Sequence, residues 1–287
     1  MKINYSSTKN EFFLFYFSQI FLKKPIYSDE IYNFAEILKI DKSKIRSLEI
    51  TNTQKIELFA EKNLEEFKDY HFLFDFYEDL NKEKTKIFIE AIIANLKRYY
   101  QTFLSTLTNL LGESEMPEEI DIAFVQPSIK ENRITPNAFT GKFMENKIFL
   151  AFNEKLFPDE KETLEYYTKV LLHEITHIFI NKNEKLQKIL RSEWENKYRN
   201  IKVNAYRFNT EELLTKTLVF ADKDFGFIYK DLGFKENEEK KEDSLSKNPY
   251  RVITLNFLNN LKNGEPLEKE LPLFIEALVK VKGGMFE

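Results

Sequence analysis

The sequence of 287 residues contains no cysteine, which excludes disulfide scaffolds, thiol catalysis and zinc sites built on thiolates. Any transition-metal site must therefore use the three histidines together with carboxylates. Glycine and proline are also scarce, at 7 and 8 residues, and this disfavours a sandwich or barrel of many short strands joined by tight turns. No apolar segment is long enough to predict a membrane span.

Basic charge is not in excess either. The 43 Lys and Arg residues face 47 Asp and Glu residues, which gives a net charge of −4 and no positive field to hold nucleic acid or an anionic membrane. We therefore expect neither as a partner. The apolar run at 12–22 lacks a small-residue cleavage site, so it predicts a buried first helix rather than a signal peptide, and a cytoplasmic protein.

The apolar pattern predicts an α+β, mostly helical chain in two parts, a helical region at 1–115 and a mixed region at 116–287. The composition shifts at 113–119, and a charge block at 235–247 predicts an exposed loop. Strands are expected at 120–125 and 147–152. Helices are expected at 28–40, 53–80, 83–111 (ending at Gly112), 158–181, 186–198 and 211–220, with two short helices closing the chain.

The most informative segment is His173-Glu174-Ile175-Thr176-His177, an H-E-x-x-H arrangement that includes two of the three histidines. A spacing of four places His173 and His177 on one helix face, where both imidazoles can bind one Zn²⁺ ion. Glu174 lies about 100° around the helix, from where it can deprotonate a metal-bound water without ligating the metal. Apolar residues flank the motif on nearly every side, which predicts a buried helix.

On this motif the chain resembles the zincin metallopeptidases over about residues 120–225. The resemblance implies zinc-dependent hydrolysis of a peptide or protein substrate. It also implies a small mixed sheet above the motif helix, with the strand at 147–152 as the edge strand that aligns the substrate. The metzincin extension of the motif needs a glycine and a histidine where this chain has Ile180 and Asn183. The third ligand is therefore expected to be a carboxylate, as in gluzincins.

Glu212 is the preferred third ligand, because the residues after it follow the gluzincin pattern of two bulky residues and two small ones around a variable position. If Glu212 binds the metal, Glu211 is expected to face solvent near the helix N-terminus. Asn209 and Glu212 also match a capping box, which needs no metal. Several gluzincins place a further carboxylate four residues after the ligand, where this chain has Lys216. The alternative ligands are Glu211, Asp222 and Asp224.

Two other interpretations stay open. A zincin fold without catalysis would use the metal for binding or regulation, although the intact Glu174 argues against it. A helical interaction protein would carry the motif by chance. Peptide hydrolysis also needs an oxyanion donor besides the metal, and the sequence leaves it open among Tyr206, Arg207, Tyr229, Tyr250 and Arg251.

Overall fold

A computed structural model describes residues 2–6, 82–125, 138–140, 146–151, 159–197, 210–211, 213–215, 218–219 and 249–281. These residues form an α+β, mostly helical fold. The strands are β1 (Lys2–Ser6), β2 (Glu119–Val125), β3 (Ala138–Thr140) and β4 (Lys147–Ala151). The helices are α1 (Glu83–Leu111), α2 (Glu160–Lys182), α3 (Glu184–Lys197), α4 (Pro249–Lys262) and α5 (Leu267–Lys280).

The four strands form one mixed sheet in the order β1-β2-β4-β3. The β1–β2 and β2–β4 pairs are parallel, with Ile3 opposite Ile120 and Ile122 opposite Ile148, whereas β3 runs antiparallel to β4. Three successive residues of β4, Ile148 to Leu150, are fully buried. Because neighbouring side chains of a strand point to opposite faces, both faces of β4 are covered.

The sheet corrects two expectations. Residues 2–6 form a strand and not a helix, because the Asn4 side chain donates to Glu119 Oε2 and Asp121 Oδ1, both at 2.9 Å, and β1 pairs with a partner more than a hundred residues away. The strand predicted at 147–152 is not at an edge, since β4 lies between β2 and β3 in the described sheet. Its continuous burial is typical of a central strand.

Local signals predicted the helix ends well. Helix α1 covers the predicted 83–111, and Gly112 follows it with φ +84°, a left-handed residue whose N–H donates to the carbonyl of Thr108 at 2.9 Å. Helix α2 begins after Asp159, whose carboxylate accepts the N–H of Lys161 at 2.9 Å. The two closing helices are confirmed as α4 and α5. The features predicted at 12–22, 28–40, 53–80 and 235–247 lie outside the described residues.

The chain divides into two compact units, and both draw on residues before and after the predicted boundary at 113–119. The first unit is Met1–Asn95 with Pro117–Leu171 and contains the sheet. The second is Leu96–Met116 with Leu172–Glu287, in which α4 and α5 stack Phe257 on Phe274 at 4.6 Å between ring centroids. In the part of the chain that is described, no helix is long and apolar enough to cross a membrane.

Candidate functional site

The H-E-x-x-H motif lies in the part of α2 that belongs to the second unit. Every residue at 170–180 is buried except His177, which is partly exposed. The sequence prediction of a helix buried on nearly every side is therefore confirmed. His177 marks the one side of this segment that water reaches.

The two histidines meet on one face of α2. Their ring centroids are 4.8 Å apart and their planes make an angle of 84°. Two imidazoles that bind one zinc ion through nitrogens at about 2.0–2.1 Å, with a tetrahedral angle between them, have ring centroids about 5 Å apart. The observed separation therefore fits a shared ion, and it also lies within the range of an edge-to-face ring contact. His173 is 7% exposed, so the first histidine of the pair lies in the interior of the unit.

Glu174 is buried as well, with 6% of its surface exposed. Carboxylates are rarely buried to this degree, because desolvating the charge is costly. The predicted residues His173, Glu174 and His177 thus lie together on one helix, two imidazoles and one carboxylate in a segment whose other side chains are mostly apolar. This set of donors suits zinc.

The end of α2 is fixed by contacts within the second unit. A helix leaves its last four carbonyls without helical partners. Here the Ser114 hydroxyl donates to the Phe179 carbonyl at 2.8 Å, and the Glu115 N–H donates to the Lys182 carbonyl at 3.4 Å. The helix that carries the histidines is therefore held at its C-terminal end by the segment that follows α1.

Asn183 separates α2 from α3 and is fully buried. Its Oδ1 accepts the N–H of Leu186 at 2.9 Å, which caps α3, and its Nδ2 donates to the carbonyl of Leu111 at 2.9 Å. This is the position where a metzincin has its third histidine. Here the residue links three helices and both ends of its amide are used.

A second amide connects α2 to the segment predicted to hold the third ligand. Gln187, in the second turn of α3, is 6% exposed, and its Nε2 donates to the Ile180 carbonyl at 3.0 Å and to Glu211 Oε1 at 3.2 Å. Residues 210–211, 213–215 and 218–219 are helical, in agreement with the helix predicted at 211–220. The Glu211 carboxylate of this segment is therefore connected to the last turn of α2 through the Gln187 side chain.

Glu211 corrects one expectation. With Glu212 as the ligand it was expected to face solvent, yet only 4% of its surface is exposed. Two causes are visible: Leu213 and Leu214 beside it are buried, and the Gln187 amide supplies a donor to its carboxylate. A charged group with such a donor is less costly to bury.

Among the described residues no group of three His, Asp or Glu side chains is placed to hold a metal ion. Glu212, Asp222 and Asp224 lie outside the described residues, as do Asn209 and Lys216. Of the candidate oxyanion donors, Tyr250 is buried and its hydroxyl donates to the Val281 carbonyl at 3.4 Å. Tyr206, Arg207, Tyr229 and the side chain of Arg251 are not described.

No protein-family model, curated protein or solved structure matches this chain. Its candidate site rests on its own residues.

Sequence reasoning missed the roles of Asn183 and Gln187. Asn183 had a usable signal, because Asn directly before a helical pattern is a common N-cap, and α3 begins at Glu184, two residues before the predicted start. Gln187 had no sequence signal, since its partners are set by how α3 packs.

In the first half of α2, burial raises the pKa of the Tyr166 phenol above its usual value of 10.0.

Proposed function

We propose that this protein is a zinc-dependent metallopeptidase of zincin-like, gluzincin type. In this proposal His173, His177 and Glu212 bind Zn²⁺, and Glu174 is the general base. The observation that carries it is the pair of histidines on one face of a buried helix, with ring centroids 4.8 Å apart and a buried carboxylate next to the first of them.

Each residue of the proposed site has a separate role in hydrolysis. His173, His177 and Glu212 would hold the zinc ion, which would supply the Lewis acidity that brings the pKa of water toward neutrality. Glu174 accepts the proton of the attacking water and passes it to the leaving amine. The burial of His173 fixes its ring, and the partly exposed side of His177 is where a peptide would approach.

The Gln187 contact supports a third ligand from the segment around residue 211, because it holds that segment close to the last turn of α2. We keep Glu212 on the sequence pattern. The burial of Glu211 removes the geometric argument that separated the two residues, so Glu211 is the alternative ligand. We further propose a peptide or protein as substrate, with no nucleic-acid or membrane partner, and a cytoplasmic location, on the sequence arguments given above.

The test compares wild-type protein with Glu174→Gln after both are loaded with zinc, using an unfolded protein such as casein and a mixed peptide library as substrates. The amide keeps the shape of the side chain but cannot accept the proton, so turnover should fall by about two to four orders of magnitude at unchanged zinc content. Glu184→Gln, an exposed position at the start of α3, is the control and should retain full activity.

Equal rates for wild-type and Glu174→Gln protein would show that Glu174 is not the base. Zinc binding without cleavage of either substrate would instead favour a binding or regulatory role for the site.

A further inference from the structure

The amide of Gln187 joins three parts of the second unit. Both contacts come from Nε2, which has two N–H groups, so one can donate to the Ile180 carbonyl and the other to the Glu211 carboxylate. Ile180 lies three residues after His177 on α2, and Glu211 directly precedes the proposed ligand. A single buried side chain thus spans the distance between the histidine helix and the ligand segment.

Burial makes these contacts stronger and more specific. Gln187 and Glu211 are 6% and 4% exposed, and a hydrogen bond to a carboxylate in such surroundings is stronger than one between neutral groups. The Ile180 carbonyl is in the last turn of α2, where helical partners are missing. The Ile180 carbonyl also accepts the N–H of Asn183 at 3.3 Å, so Gln187 adds a second donor there and a donor to the Glu211 carboxylate.

We propose that Gln187 is a positioning residue for zinc binding: it sets the distance between the helix that carries His173 and His177 and the segment that supplies the carboxylate ligand. This inference rests on the proposed function. Side chains hydrogen-bonded to a metal ligand typically contribute about 10–100-fold to metal affinity, and Gln187, which contacts the neighbour of the proposed ligand, should contribute near the lower end of that range. Loss of the Gln187 amide should therefore weaken zinc binding even in protein that is fully folded.

The test is a competition titration of Zn²⁺ against a chromophoric chelator, with the full-length chain. Gln187→Met keeps the length of the side chain and removes the donor, and it should raise the Kd for zinc by about tenfold or more. Gln187→Asn keeps an amide that is one methylene too short to reach both acceptors, and it should act in the same direction. Having both variants keeps the test decisive if one of them folds poorly.

The control is Asn260→Leu, at an exposed position, which removes another amide–carboxylate contact of the same unit, from Asn260 Nδ2 to Glu270 Oε2 at 2.6 Å. This contact joins α4 to α5, so its loss should lower the free energy of unfolding, measured with chelator present, without changing the Kd for zinc. A purely structural role for Gln187 predicts the same result for Gln187→Met as for the control.

The outcomes are distinct. Wild-type protein that binds zinc, with Gln187→Met and Gln187→Asn binding it equally well, would overturn the role of Gln187 and leave the proposed function standing. Wild-type protein that takes up no zinc would overturn both. Weaker binding in the Gln187 variants, with unchanged binding in Asn260→Leu, is the expected result.

Discussion

Asn183 offers the clearest energetic test of how the histidine helix is held. Asn183→Ala removes the Oδ1 acceptor that caps α3, a loss of about 1 kcal/mol. It also removes the donor to the Leu111 carbonyl, and leaving a buried acceptor without its partner costs about 1–3 kcal/mol. The free energy of unfolding should therefore fall by at least about 2 kcal/mol.

Urea unfolding monitored by circular dichroism, with chelator present, measures this loss. Asn183→Ser keeps a capping oxygen but cannot reach Leu111, and it should recover about 1 kcal/mol. Asn181→Ala is the matched control, because Asn181 is exposed two residues earlier and should change stability by less than about 0.5 kcal/mol. If Asn183→Ala unfolds at the same urea concentration as the control, the linking role of Asn183 is wrong.

Two further predictions concern the ligand and the pH dependence of stability. Glu212→Gln should weaken zinc binding at least about tenfold, or about 1.4 kcal/mol, whereas Glu211→Gln keeps an acceptor for Gln187 and should bind zinc nearly as wild type does. The reverse result in a zinc titration of folded protein would make Glu211 the ligand, and a lower melting temperature with intact affinity would give Glu212 a capping role. Burial raises the pKa of Tyr166, so the phenol keeps its proton to higher pH in the folded state than in the unfolded state. The stability that Tyr166 contributes is therefore complete below about pH 10, and it is lost as the pH rises through the pKa of the folded state. Urea midpoints measured between pH 9 and 11 should fall less in Tyr166→Phe than in wild type, and parallel falls would contradict the assignment.

Helices and their ends could be predicted from sequence, because the signals are local. Gly112 ends α1 through a left-handed conformation, and Asp159 begins α2 by capping it. The motif was likewise readable, since a spacing of four fixes which face His173 and His177 share. These features depend on a few neighbouring residues and little else.

Features that depend on distant partners could not be predicted. Residues 2–6 form strand β1 because they pair with β2, which lies more than a hundred residues later in the chain, and no local pattern reveals this pairing. Glu211 was expected at the surface because adjacent helical residues point in different directions and Glu212 was taken as the buried ligand. Its burial is accompanied by a donor from Gln187, a contact that no local pattern reveals. In both cases a tertiary contact overrides the local preference.

The central claim is that His173 and His177 bind one zinc ion. Elemental analysis of purified wild-type protein, repeated after incubation with Zn²⁺ and removal of the excess, should give about one zinc per chain, and His173→Ala and His177→Ala should each lose most of it while keeping wild-type helix content. Wild-type protein that is empty as purified and stays empty after zinc is added would contradict the account.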